Sequence, residues 1–178
     1  MADTSNGLMY GVAAVKFKTS EGEEKTLGWL DENGMQPAGN APTFMDVMAA
    51  QVTDGPVDSI MTNPGSDAFT MNLIKLDAQS MVDVFGGKKE ADDSYTPPVK
   101  FVANGVLTIS MHSGHSFRIF NARLSRNGFQ NGINMKNVLA MGIRVDMLKP
   151  TDGKERRYRT YPPGVKPDTA DSTADAAG

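Results

Sequence analysis

The sequence predicts a mainly β protein: an antiparallel β-sandwich or barrel with one short flanking α-helix, long polar loops and a loose C-terminal tail. Three observations lead to this fold class. Apolar and polar residues alternate over most segments, which is the two-residue period of a half-buried strand. A helical period occurs in one segment, DAQSMVDVFG at 77–86. Stretches rich in Gly, Pro, Asn and Asp separate these segments, as turns do.

Length and composition narrow the class of protein further. The 178 residues suffice for one domain with a real core, and 39% hydrophobic residues are typical of a globular, soluble chain. The absence of cysteine excludes disulfides and thiolate-bound metals. No apolar run approaches the ~20 residues of a membrane helix and no secretory signal begins the chain, so we expect no membrane insertion and folding in a cytoplasm. A net charge of −3 argues against tight generic nucleic-acid binding.

The first part of the chain reads as an arm, a hairpin, a loop and further strands. Residues 1–9 are polar and predict a flexible arm. GVAAVKFK (11–18) alternates and pairs with KTLGWL (25–30) across a polar turn. DENGMQPAGNAP (31–42) is rich in Asn, Gly and Pro and predicts a long polar loop, a kind of segment that is often functional. Strands are also predicted over 43–52, over 57–61 and from 69 up to the helix.

The single helix is predicted from its period and from its ends. Apolar residues recur at i, i+3, i+4 and i+7 between Ala78 and Phe85, which places them on one face. Asp77 is suited to be the N-cap, since its carboxylate accepts from the first free backbone amides. Gly86 is suited to be a left-handed C-terminal cap.

Strands also dominate the second part of the chain. After a polar loop at 86–98, the segments 102–112 and 115–125 flank Ser113-Gly114 and predict a hairpin. The last strand, 138–148, alternates most regularly, with Leu139, Met141, Ile143, Val145 and Met147 on one face. We therefore predict one domain over 1–150, followed by a polar extension over 151–178 that is partly disordered.

Catalytic chemistry has little support in the sequence. His112 and His115 form an H-x-x-H pair that a hairpin turn would separate, without a carboxylate close in sequence to complete a metal site. The aspartates lie mostly in turns, where they form the turn through their own side chains. Phosphate-binding and nucleophile motifs are absent. We expect no enzyme activity, no cofactor and no metal.

Assembly is favoured instead. KERRYR (154–159) is a weak nucleic-acid motif because five basic residues in 151–178 are balanced by five acidic ones, so a solvated strand end or a contact with a neighbouring subunit is the preferred interpretation. The 12 methionines predict mostly core positions, with a fraction at subunit interfaces.

The centre of the chain resembles a known family. A strand FTMNLIKL, then Asp77, a short amphipathic helix and FGG are similar to the middle of the tail tube proteins (major tail proteins) of long-tailed bacteriophages. AAQVTDGPVDSIMTNPGSDAFTM resembles the strand-turn-strand passage before that helix, and GVLTISMHSGHSFRIFNARLS with a final strand ending MLKP resembles the C-terminal half. The likeness covers about Tyr10 to Pro150.

The resemblance implies a structural subunit that forms hexameric rings, which stack into a hollow conduit for DNA ejection into the host cell. It implies a place in the virion tail, assembly in the host cytoplasm and transient, non-specific passage of DNA. The implied protein partners are other copies of the chain, the tape measure protein, the tail completion or terminator protein, and the baseplate or tip. A tube subunit of a contractile or type VI-like injection system is an alternative within this interpretation, because the resemblance implies that such tubes share the fold.

Candidate residues follow from this interpretation. An acidic wall would repel phosphates and let DNA slide, so lumen residues are sought on polar strand faces. The lumen candidates are Asp46, Thr108 and Ser110. The candidates for ring stacking and interfaces are Met35, Gln36, Pro37, Phe44, Arg156, Arg157 and Tyr158. A non-enzymatic β-sandwich binding module stays the alternative; it would need an exposed aromatic patch, whereas Trp29 is predicted within a strand.

Overall fold

The computed structural model describes residues 7–19, 22–151 and 156–167. It confirms the predicted fold class, since the structure is mainly β with 52% strand and 6% helix, antiparallel pairing and one short helix. Over the described residues the elements are β1 Val12–Thr19, β2 Glu24–Leu27, β3 Leu30–Pro37, β4 Thr43–Val47, β5 Asp58–Asn63, β6 Ala68–Leu73, α1 Ala78–Phe85, β7 Lys88–Lys89, β8 Tyr95–Thr96, β9 Val102–Met111, β10 Ser116–Gln130, β11 Ala140–Met147 and β12 Tyr158–Tyr161.

Eight strands form one antiparallel sheet in the order β2-β1-β9-β10-β11-β6-β3, with β12 added against β10. The 15-residue β10 organises this sheet, because β9 lies along one side of it and β11 and β12 share the other side. Two smaller pairs, β4 with β5 and β7 with β8, stand apart from the sheet. The hairpin predicted around Ser113-Gly114 is confirmed as β9 and β10.

The core lies on one face of the large sheet and under the helix. On β11 the predicted alternation is confirmed, with Met141, Ile143, Val145 and Met147 all buried. The buried residues of the core cluster are Val15, Phe17, Leu27, Met71, Leu73, Met81, Val84, Phe85, Leu107, Ile109, Ile119, Ala122, Leu124, Met141, Ile143, Val145 and Met147. We call the opposite side of this sheet the outer face.

The helix begins and ends at the predicted residues. Asp77 lies in extended conformation, and its Oδ2 accepts a hydrogen bond from the Ser80 backbone N–H at 3.2 Å. Gly86 ends the helix with a φ of 70° and donates its N–H to the Val82 carbonyl at 2.9 Å, but its ψ of −159° is not that of the predicted left-handed cap. The helix face that carries Phe85 covers the core. There the Phe85 and Phe101 rings pack edge to face, with their centres 5.1 Å apart.

The predicted loop over 31–42 is wrong, because β3 occupies most of it. β3 pairs with β6, with Met35 opposite Met71 and Pro37 opposite Phe69. The register shifts between Leu30 and Met35, an irregularity that accommodates the polar residues and Gly34 with its φ of 61°. At the edge of a sheet, pairing with one neighbour overrides the low strand propensity of Asn, Gly and Pro.

Other boundaries also shift. The strand predicted over 43–52 ends at Val47, and β10 continues through the expected turn at 127–132 as far as Gln130. The loop at 86–98 contains the short β7–β8 pair. β12 lies within the predicted polar extension, yet it pairs with β10, so the fold continues past Pro150. Residues 1–6 of the expected arm and 168–178 of the expected tail lie outside the described residues.

The two histidines lie near the tip of the β9–β10 hairpin. His115 is buried, with its Nδ1 3.1 Å from Ser113 Oγ, and His112 is exposed. Among the described residues, no group of three or more His, Asp or Glu side chains is placed to hold a metal ion. The described part of the chain contains no helix of the length and apolarity that a membrane crossing requires.

Candidate assembly surface

A two-stranded ribbon leaves the sheet at its β3–β6 edge. Backbone pairing continues past the sheet, with Ala38 N–H donating to the Ala68 carbonyl at 2.8 Å and Asn40 and Ser66 exchanging two hydrogen bonds of 2.9 Å. The chain then runs through β4 and returns through β5. We call residues 40–66 the projecting hairpin.

Two glycines define where the projecting hairpin departs. A Cβ atom on Gly39 would collide with the Ser66 carbonyl oxygen, so the two chains pass closer there than any other residue permits. Gly65 has a φ of 74°, and a Cβ there would lie 2.5 Å from the Asn40 carbonyl oxygen. The two backbones therefore leave the sheet side by side in a defined close approach, and not as a loose loop.

Cross-strand contacts hold the projecting hairpin in register. The hydroxyls of Thr43 and Thr62 lie 3.1 Å apart, and Ser59 Oγ donates to Asp46 Oδ1 at 3.0 Å. The Val57 N–H donates to the Val47 carbonyl at 2.9 Å. These contacts fix which side chains share a face of the ribbon.

Both faces of the projecting hairpin expose large apolar side chains. Phe44 pairs with Met61 on one face and Met45 with Ile60 on the other, and each of the four exposes about half of its surface, from 48% to 56%. Met48 beyond them exposes 66%. An isolated two-stranded ribbon is marginally stable in water, and contiguous exposed apolar surface marks an interaction site. The projecting hairpin therefore has the surface of an element that is completed by a partner.

All charged side chains of the projecting hairpin are negative. Residues 40–66 contain Asp46, Asp54 and Asp58 and no Lys, Arg or His. We call the exposed side chains of Phe44, Met45, Ile60 and Met61 the apolar strip, and this strip thus lies in a negative electrostatic field.

The outer face of the sheet carries net positive charge, opposite to that of the projecting hairpin. Residues paired across antiparallel strands share a face, so Lys16, Thr108, Arg118 and Arg159 form one row across β1, β9, β10 and β12. On β1, β2 and β9 to β12, the same register places six basic side chains and two carboxylates on this face. They are Lys16, Lys18, Arg118, Arg123, Arg144 and Arg159, with Glu24 and Asp146.

Asp146 is the partly buried acidic centre of this face. Its Oδ2 accepts from Arg123 Nη2 and its Oδ1 from Arg144 Nε, both at 2.8 Å. Burial alone would raise the pKa of the Asp146 carboxyl, but the hydrogen bonds and charges of the two arginines outweigh it and hold the pKa below the ordinary 3.8.

Asp146→Asn is expected to reduce the free energy of unfolding by about 1–2 kcal/mol at neutral pH, because it leaves two arginines without their shared carboxylate. Since the folded-state pKa is lowered, the stabilisation is present above 3.8 and disappears as the pH falls through the lowered pKa. Urea unfolding of both proteins over a series of pH values measures this. Glu24→Gln is the matched control; its exposed pair with Lys16 should contribute under about 1 kcal/mol. A loss that is independent of pH would contradict the prediction.

The structure separates the predicted lumen residues. Asp46 lies on the projecting hairpin, whereas Thr108 and Ser110 lie on the outer face of β9. Thr108 is 7% exposed and stands between Lys16 and Arg118. The three candidates form no common surface in the subunit, and the polar face of β9 and β10 is basic where the sequence predicts an acidic wall.

Two of the predicted interface residues meet at the base of the projecting hairpin. Pro37 and Tyr158 line the same groove of about 490 Å³, which also includes Asn40 and Phe117. The Tyr158 ring stacks on Phe117 at 4.9 Å. Phe44 lies farther out on the ribbon. Met35 is half-buried against the core, and Gln36 beside it is exposed.

The other two interface candidates hold the β12 segment to the sheet. Arg156 places its guanidinium 4.4 Å from the centre of the Phe120 ring. Arg157 lies 3.6 Å from Asp67 at the start of β6. Both contacts are within the subunit, so these arginines position β12.

Sequence reasoning missed most of the hairpin surface. Met45, Ile60 and Met61 were indistinguishable from core residues, since alternation in a strand does not show whether a second layer covers it. Trp29, predicted within a strand, lies between β2 and β3 and exposes 72% of its surface. A run of 27 residues with three aspartates and no basic residue was the available signal.

Comparison of the sequence with protein-family models and with curated proteins finds no match. The function proposed below therefore depends on the residues and geometry described above and on the sequence resemblance.

Proposed function

We propose that this protein is a structural subunit of a bacteriophage tail tube, which self-assembles into stacked hexameric rings that form the conduit for DNA ejection. The observation that carries the proposal is the projecting hairpin, with apolar side chains half exposed on both faces and no core of its own. Such an element in an otherwise well-packed domain is accounted for by insertion against another copy.

The surfaces of the subunit support a head-to-tail contact. The projecting hairpin and the outer face differ in residues and in charge, so a contact between them is heterologous. Heterologous contacts generate closed rings or open helices when repeated. A tube of stacked rings needs contacts that close each ring and contacts that repeat from one ring to the next. The same assembly would serve a flexible tail, a contractile tail or a type VI-like tube.

The proposed partners follow from that role. They are other copies of the chain and the tail proteins at its ends and inside it: the tape measure protein, the completion or terminator protein, and the baseplate or tip. DNA would pass through without being held. As a building subunit, the protein would need no cofactor and perform no catalysis.

A binding module is the second candidate, favoured by the exposed Trp29. This ring lies at a groove of about 450 Å³ that also includes His112 and Glu32. An exposed aromatic beside polar groups is the usual arrangement for stacking on a sugar or a peptide. Trp29→Ala would abolish such binding and leave assembly through the projecting hairpin unchanged.

The proposed function is tested by electron microscopy of the purified protein at high concentration, with light scattering on the same sample. We expect rings or hollow tubes of uniform diameter, and scattering that rises cooperatively above a threshold concentration. A compact dimer that does not grow with concentration would contradict the proposal and favour the binding module.

A further inference from the structure

We propose, on the basis of the tube function above, that the tip of the projecting hairpin of one copy docks into a cationic groove on the outer face of a second copy. The tip comprises residues 48–57. The groove lies where β1, β9 and β10 meet the chain after β11, and encloses about 500 Å³. Lys18, Val106, Arg118, Phe120, Leu148 and Thr151 line it.

The groove combines an apolar floor with a basic rim. Val106, Phe120 and Leu148 supply the floor. Two guanidinium groups lie near the Phe120 ring, that of Arg118 at 6.0 Å and that of Arg156 at 4.4 Å from its centre. This arrangement suits an occupant that brings both apolar contact and negative charge.

The hairpin tip has those two properties. Met48 and Val57 expose 66% and 49% of their surfaces, and Val52 exposes 36%. Asp54 lies at the turn, and Asp58 directly follows the tip at the start of β5. Residues 40–66 contain no basic residue, so no side chain of the projecting hairpin itself neutralises these carboxylates.

The occupant is a second copy rather than the same chain. None of the residues that line the groove belongs to the projecting hairpin, so the subunit's own tip leaves the groove open. Tip and groove are different surfaces, so each copy offers one of each. The contact therefore repeats in one direction from copy to copy.

Covalent trapping tests this contact directly, because the chain contains no cysteine of its own. Thr53→Cys labels the tip and Thr151→Cys labels the groove, and both changes leave the charged residues in place. With a short bis-maleimide linker, the double variant is expected to form a ladder of covalent oligomers longer than dimers. Each single variant has only one thiol and stops at the dimer.

A matched control separates docking from random collision. Thr53→Cys combined with Ala91→Cys places the second thiol in the exposed turn between β7 and β8, away from the groove. We expect no ladder from this pair at equal concentration. Equal ladders from both pairs, or no ladder from Thr53→Cys with Thr151→Cys, would overturn the proposed contact.

Charge reversal tests the electrostatic part. Asp54→Lys in the Thr53→Cys/Thr151→Cys background is expected to lower the yield of the ladder about tenfold, and Lys18→Glu to do the same. Combining the two reversals should recover most of the yield and should restore its decline with added salt. A combined variant no better than either reversal alone would show that these charges do not meet across the contact.

The outcomes distinguish this contact from the tube function. Ladders from a protein that forms no rings or tubes would refute the tube and support the contact. Tubes formed by a protein whose Thr53→Cys/Thr151→Cys variant gives no ladder would leave the tube standing and refute the contact.

Discussion

Replacing both Phe44 and Met61 by serine is expected to weaken self-association strongly while the subunit stays folded. The two side chains pair on one face of the projecting hairpin and are half exposed in the subunit. Full burial of one such side chain contributes about 1.5–3 kcal/mol, and about half of that is gained when a half-exposed side chain is covered. Losing both should therefore raise the threshold concentration for assembly about ten- to a hundredfold. Light scattering against concentration measures the threshold, and urea unfolding measures the stability of the subunit.

The matched control replaces Ile133 and Met135 by serine. These two side chains expose 83% and 105% of their reference surfaces, but they lie between β10 and β11 and outside the projecting hairpin. The control variant should assemble at the same threshold as the unmodified protein. If the Phe44→Ser/Met61→Ser variant assembles normally, the projecting hairpin is not the assembly element.

Phe85→Ala is expected to reduce the free energy of unfolding by about 3–5 kcal/mol. Phe85 is 3% exposed in the last turn of α1, where it packs with Met81 and Val84 on the core and meets Phe101 edge to face. The substitution leaves a cavity between the helix and the sheet that neither can close by itself, because both are held by their own backbone hydrogen bonds. Thermal or urea unfolding followed by far-UV circular dichroism measures the loss.

Phe129→Ala provides the comparison for the same chemical change. Phe129 is 58% exposed, and its ring contacts Arg126 at 5.1 Å. Its removal should cost about 1 kcal/mol or less. Equal losses for the two substitutions would mean that α1 does not cover the core.

The parts of the fold that the sequence predicted correctly are those where local chemistry and tertiary burial agree. The Asp77 cap and the period from Ala78 to Phe85 are local signals, and α1 has those bounds. On the second half of β11 the alternation matches a sheet with one buried face, whereas Ala140 and Gly142 are buried on the other face as well. β3 shows the opposite case. Its Asn, Gly and Pro residues predict a loop, and pairing with β6, distant in sequence, makes it a strand.

The candidate site was harder to predict for a related reason. A strand period states that two faces differ, yet it does not state whether either is covered by a second layer. Met45 and Met71 have similar sequence surroundings, but Met71 is 2% exposed in the sheet and Met45 is 54% exposed on the hairpin. Likewise, the row of Lys16, Arg118 and Arg159 is assembled by strand register from three distant segments. Neither property is encoded in a short window of residues.

If copies of the chain assemble through the projecting hairpin as proposed above, the uniform charge of that hairpin has a consequence for the direction of growth. Two hairpins that met face to face would bury apolar side chains together. Asp46 lies on the face of Phe44 and Met61, and Asp58 lies on the face of Met45 and Ile60. Whichever face met its own copy would therefore also bring like carboxylates together. Like charges opposed across a contact disfavour it. A symmetric pair of this kind would bury both projecting hairpins, so no further copy could be added and assembly would end at the dimer. In the proposed assembly, the aspartate on each face of the projecting hairpin would disfavour such symmetric dimers and favour contact with a positively charged surface.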